Sequence, residues 1–217
     1  MTAVHGELRV VDDVPVAFAD LVVAEGPRSI AFSGGSTARQ SYEQLAARGD
    51  QVAWPDVDVW FGDERWVPVD DPGSNEGMTR AVLLDRVPVR AVHSMCGAGD
   101  TIDAAAAAYD AEVAAAPPID LVHLGLGPDG HTASLFPGSA ALEVDDRLVV
   151  PNADDLHPHP RLTFTFAALA RSRLVVFTVA GEDKRDALAR VRAGDDLPAA
   201  HVDAERVVWL VDRAALG

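Results

Sequence analysis

Short apolar runs of strand length alternate with helix-length segments along nearly the whole of this chain, and few architectures accept that pattern. Residues 7–11, 29–32, 57–61, 119–124, 161–166, 174–179 and 207–211 read as strands. Between them, residues 14–24, 36–49, 74–84, 100–116 and 181–191 carry the periodicity, caps or alanine content of helices. Either Asp12 or Asp13 would cap the first helix, and Ser36 or Thr37 the second. Strands that alternate with helices build βαβ units around a mostly parallel sheet. With no internal repeat and no linker, the 217 residues are expected to form one α/β domain, a mostly parallel sheet flanked by helices. Residues 142–160 are expected to be irregular. Residues 161–166 (RLTFTF) alternate with period two, as a half-buried strand should.

Three of the strands run into polar loops that contain glycine: residues 33–37 (SGGST), 62–65 (GDER) and 125–131 (GLGPDGH). In a parallel sheet such loops open on one edge, where ligands bind. The third loop places Asp129 and His131 two residues apart, an acid and an imidazole at a strand end, which is equipment for proton transfer. Residues 132–135 are expected to open a short helix that Pro137 and Gly138 stop. In the first loop, Gly34 and Gly35 let the backbone approach a ligand, and the helix start behind Ser36 and Thr37 favours an anion such as phosphate. The loop is neither a P-loop nor a G-x-G-x-x-G turn. In the second, Asp63 is placed to orient a hydroxyl or take a proton, and Arg65 to hold an oxyanion.

Formal net charge is −16, which argues against nucleic acid or an anionic membrane as partner, because phosphate backbones need basic footprints. An acidic chain binds a small anion with a few placed cations. Seventeen of its eighteen basic residues are arginine, and Lys184 is the single lysine. Cys96 is the one cysteine, so no disulfide framework or thiolate cluster is expected, and a buried structural thiol is the reading. His157 and His159 lack partners at ligand spacing, so no metal is expected. Ser134 has no nucleophile elbow around it, which argues against covalent catalysis. The first residues show no signal peptide and no run approaches membrane-spanning length, so a cytoplasmic location is expected.

Five stretches, residues 31–37, 59–78, 120–138, 160–169 and 175–188, together resemble the 6-phosphogluconolactonase family, which is related to glucosamine-6-phosphate deaminases and isomerases. The second and third are long enough to be highly specific. The resemblance implies a single Rossmann-like α/β domain of the sugar-phosphate isomerase/deaminase kind. It also implies hydrolysis of 6-phospho-D-glucono-1,5-lactone to 6-phosphogluconate, the second step of the oxidative pentose phosphate pathway. The deaminases typically show Asp-Glu-Tyr where Asp63-Glu64-Arg65 stands, and an acidic residue after the histidine that is absent beyond His131.

The joint reading makes His131 the general base that activates water, since an ordinary imidazole titrates near neutral pH, with Asp129 and Asp63 beside it. Ser36, Thr37, Arg65, Arg161 and Lys184 are the candidates for phosphate and sugar hydroxyls, with Gly34, Gly35, Asn75 and Gly127 lining the same place. Backbone N–H groups of the glycine loops would meet the oxyanion. The only partner expected is the sugar-phosphate lactone. No cofactor is expected, and the assembly is a monomer or small homo-oligomer. Two alternatives stand beside this: deaminase or isomerase chemistry on the same fold, and a non-catalytic sugar-phosphate sensor.

Overall fold

A computed structural model describes residues 4–97, 99–153 and 157–217. The chain begins with strand β1 (Glu7–Val10) and helix α1 (Val14–Glu25). The side chain of Asp13 caps this helix by accepting the Val16 N–H, and Gly26 ends it in a left-handed conformation. Then follow β2 (Ser29–Phe32), α2 (Ser36–Ala46), β3 (Asp58–Phe61), β4 (Asp63–Arg65) and α3 (Asn75–Val82). After β5 (Ala91–Val92) and α4 (Ile102–Ala115), capped by Thr101, comes β6 (Leu121–Gly125). The remainder contains β7 (Val149–Asn152), β8 (Arg161–Phe164), α5 (Phe166–Ala170) and β9 (Leu174–Val179). Last are α6 (Arg185–Ala193), β10 (Arg206–Val211) and α7 (Arg213–Leu216).

Among the described residues seven strands form a wholly parallel sheet in the order β1-β10-β9-β6-β2-β3-β5. Its central strands are apolar on both faces, as parallel strands covered on two sides must be. Tyr42 and Phe18 from α2 and α1, and Trp209 stacked on Phe177 at 3.8 Å, are fully buried within one continuous core. The chain moves outward from β2 to β3 and β5 on one side, and from β6 to β9 and β10 on the other. The crevice between the ends of β2 and β6 is therefore the topological switch point, where open α/β sheets bind ligands.

A second sheet, antiparallel and in the order β4-β8-β7, stands beside the first. This corrects the expectation that residues 62–65 form a loop. Gly62 donates its N–H to Phe32 O and accepts from Phe164 N, so the chain leaves the large sheet at Gly62 and enters the small one at Asp63. The stretch 142–160 is not wholly irregular either, since it supplies β7. Strand β8 ends at Phe164, and all four of its residues are buried rather than half of them. Residues 132–135 open no helix. Ala133 takes a left-handed φ of 48° and Thr132 bridges to Leu135, which makes a tight turn.

Candidate active site

The loops at the switch point surround a cavity of about 310 Å³. Loop 125–131 supplies one wall. Its turn is closed by Gly127 N–H donating to His131 O and Gly130 N–H to Gly127 O, at 2.8 and 3.0 Å. His131 faces the cavity, and Asp129 lies behind it with Oδ1 2.6 Å from Nδ1. The same carboxylate oxygen accepts the His131 N–H at 3.1 Å, which fixes the acid under the ring. Burial alone would raise the Asp129 carboxyl, but the amide, charge and ring of His131 outweigh it and hold it below the ordinary value. An ionised Asp129 at Nδ1 selects the tautomer that leaves Nε2 as the proton acceptor.

Loop 33–37 forms the facing wall, where Gly34, Gly35, Ser36 and Thr37 all line the cavity. The N-cap of α2 is Gly35, at φ 103° and ψ 167°, and not Ser36 or Thr37. An L side chain at that φ is strained, and no side chain caps the helix, so its first-turn N–H groups are left for a ligand. Gly34 lies so close to Asn75 that a Cβ there would sit 1.9 Å from Oδ1. Asn75 is itself fixed by donating from Nδ2 to Asp63 O and Oδ1 at 2.9 and 3.2 Å. The other carboxylate oxygen of Asp63 accepts the Ser134 hydroxyl at 2.7 Å. Asp63 lines the cavity with each carboxylate oxygen accepting a hydrogen bond, an arrangement that holds Asn75 and Ser134 in place.

The cations lie on the small sheet and beyond β9. Arg65 and Arg161 are directly opposed across the antiparallel pair β4 and β8, and both line the cavity. Arg65 donates from Nη1 to Gly73 O at 2.6 Å, while its buried Nε has no partner among the described residues. Lys184, which the sequence places at a helix start, ends a short 3₁₀ turn at residues 182–184, and it also reaches the cavity. The candidate catalytic and binding residues all line this one cavity except Asp129, which reaches it through His131.

Some of the site was not singled out. Glu64 is buried and accepts four hydrogen bonds: from the amides of Arg65, Asn75 and Glu76, and from the Ser74 hydroxyl. It thereby pins the start of α3, and with it Asn75. His157, read from the sequence as a loop histidine without a role, stands in the cavity wall. Its ring stacks on Phe136 at 4.2 Å and meets that of His131 at 5.3 Å. Residues 154–156 of that loop lie outside the described residues. Among the described residues no group of three or more His, Cys, Asp or Glu side chains is placed to hold a metal ion. Cys96 is half-buried, with its thiol pushed up to about 12 by burial and, secondarily, by the charges of Glu64 and Glu76. Among the described residues no helix is long and apolar enough to cross a membrane.

The chain is similar in sequence and fold to known proteins. The family described as glucosamine-6-phosphate isomerases/6-phosphogluconolactonase matches residues 7–209. A 6-phosphogluconolactonase of Synechocystis is 40% identical over 210 residues, covering 89% of this chain and 85% of that protein. One from Nostoc is 41% identical over 207 residues, covering 88% and 84%. The crystal structure of a 6-phosphogluconolactonase from Thermotoga maritima superposes with a TM-score of 0.82 at 29% identity, covering 95% of this chain and 99% of that one.

Proposed function

Because the chain belongs to the glucosamine-6-phosphate isomerase/6-phosphogluconolactonase family, we propose that it is a 6-phosphogluconolactonase, hydrolysing 6-phospho-D-glucono-1,5-lactone to 6-phosphogluconate. The observation that carries this reading is the pairing, within one cavity, of the Asp129–His131 couple with Arg65, Arg161 and Lys184. A neutral imidazole takes a proton, and the cations hold a phosphate at a fixed distance from it.

In this mechanism Nε2 of His131 removes a proton from water as its oxygen attacks C1 of the lactone. Asp129 holds Nδ1–H and stabilises the imidazolium that forms. Backbone N–H groups of the glycine loops receive the oxyanion. When the bond from C1 to the ring oxygen breaks, the imidazolium returns the proton to that oxygen, which becomes a hydroxyl. Asp63 positions Asn75 and Ser134 at the rim of the reacting centre. The first-turn amides and hydroxyls of Ser36 and Thr37 share the phosphate and sugar oxygens with the three cations, while Gly34, Gly35 and Gly127 let the backbone come close. An enzyme acting on a phosphorylated sugar belongs with the cytoplasmic pool of such metabolites.

The test uses lactone generated in situ from glucose 6-phosphate and its dehydrogenase, with decay followed against a protein-free blank. The wild type is expected to exceed the blank clearly. His131→Ala is expected to lose at least ~100-fold in kcat with KM nearly unchanged. Decay no faster than the blank would reject the lactonase reading, and an unchanged kcat in the variant would remove His131 from the chemistry.

A further inference from the structure

Beneath the cavity a set of buried polar groups takes no part in the mechanism above. His123, in the middle of β6, is 1% exposed, and its ring lies 4.1 Å from that of Phe18. Nδ1 is 2.7 Å from the Tyr42 hydroxyl of α2, and Nε2 is 2.8 Å from the Thr178 hydroxyl of β9. Tyr42 also accepts the Ser33 N–H at 2.8 Å, and its hydroxyl lies 3.1 Å from Ser33 O. Ser33 returns a hydrogen bond from its own hydroxyl to His123 O. Ser33, His123 and Thr178 together floor the cavity.

Counting hydrogens gives this set a direction. The Tyr42 hydroxyl has one hydrogen and two acceptors in reach, and the nearer is His123 Nδ1. A Tyr42 hydrogen on Nδ1 leaves the ring's own hydrogen on Nε2, which donates to Thr178 Oγ1. Thr178 is 4% exposed, and the single partner of its hydroxyl among the described residues is His123. Its own hydrogen is then free to point into the cavity. With the opposite tautomer Thr178 would donate to Nε2 and offer the cavity lone pairs alone.

We propose that His123 is a positioning residue that fixes the Thr178 hydroxyl as a hydrogen-bond donor to an acceptor oxygen of the bound substrate. The donors run in one sense, from Ser33 N through Tyr42 Oη and His123 Nε2 to Thr178 Oγ1. Burial holds the imidazole down at about 3, so a second ring hydrogen is absent at neutral pH and the tautomer alone sets the polarity. The matching acceptors are phosphoryl oxygens or the lactone carbonyl, both without hydrogens of their own. The inference rests on the lactonase reading for its substrate, but the tautomer is independent of turnover.

Two measurements test it. In nitrogen-15 correlation spectra of the whole protein, His123 is expected to carry its hydrogen on Nε2, unchanged from pH 5 to pH 8. A hydrogen on Nδ1 would overturn the proposal whether or not the lactone is hydrolysed. In lactone hydrolysis, Thr178→Val is expected to lower kcat/KM by about 10-fold or more, and Thr178→Ser to stay within about twofold of wild type. Tyr42→Phe is expected to lower it too, and to add little on top of Thr178→Val, because both break one chain of donors. Inorganic phosphate as competitor locates the acceptor. Weaker inhibition of Thr178→Val places the donor at the phosphate, and unchanged inhibition with the same loss of kcat/KM places it at the lactone. A kcat/KM unchanged in Thr178→Val would reject the donor.

Discussion

At Gly127 the absence of one methyl group decides where an imidazole stands. A Cβ there would lie 2.2 Å from His131 Nδ1 and 2.7 Å from Cγ, and the residue does not require a positive φ. Gly127→Ala therefore carries little backbone penalty, yet it must turn the ring away from Asp129. A fall of about 10- to 100-fold in kcat is expected, with a melting temperature close to that of wild type; steady-state kinetics and a thermal melt read the two. Residues such as Gly127, Asp129 and His131 are legible in the sequence because they cluster where a strand stops, and such clusters have few uses. Tyr42, His123 and Thr178 are not, because each belongs to a segment whose main message is burial. The signal was present nonetheless: His123 interrupts the apolar run 119–124 and Thr178 the run 174–179. A polar group inside a two-sided buried strand must have a partner, and here the partners floor a cavity.

Six of the seven strands described for the large sheet follow from the sequence, most of them as short apolar runs with few alternatives to a buried parallel strand, whereas β5, two residues long, leaves no such signal. Of the small sheet only β8 is foreseen, as residues 161–166, while β4 and β7 are not. Strand β4 is three residues long, all of them charged, and becomes a strand because β8 pairs with it from nearly a hundred residues away. Alternation in residues 161–166 suggested one wet face, but Thr163 is buried because its hydroxyl accepts the Ser134 N–H at 3.1 Å. Helix α3 shows how β4 serves the site. Glu64 from that strand stands in for the missing partners of the helix start, accepting from Ser74, Asn75 and Glu76. Glu64→Ala leaves those buried donors unmatched, so a loss of about 2–4 kcal/mol in urea unfolding is expected. Activity should fall with it at temperatures where the variant is still folded, because Asn75 loses its anchor.

On the scale of the whole molecule, a chain of net charge −16 gathers Arg65, Arg161 and Lys184 at one cavity. The arginines stand at opposed positions of a strand pair and both line the cavity, so a bound anion has two cationic neighbours there. Inorganic phosphate at about 100 times its dissociation constant is expected to stabilise the fold by ~2.7 kcal/mol, seen as a rise in melting temperature. Arg161→Ala should lose most of that rise, and an equal rise in the variant would place the phosphate elsewhere. The pairing of β1 carries a different consequence. Among the described residues strand β1 is bonded to β10 alone, the last strand in chain order. During synthesis the first strand must therefore wait until residues 206–211 have left the ribosome before it has that neighbour. The edge of β9, with Phe177, is bare on that side over the same interval, because Trp209 arrives with β10. Completion of this sheet thus waits on β10, and a ribosome that stalls before Arg206 releases a product with an open sheet.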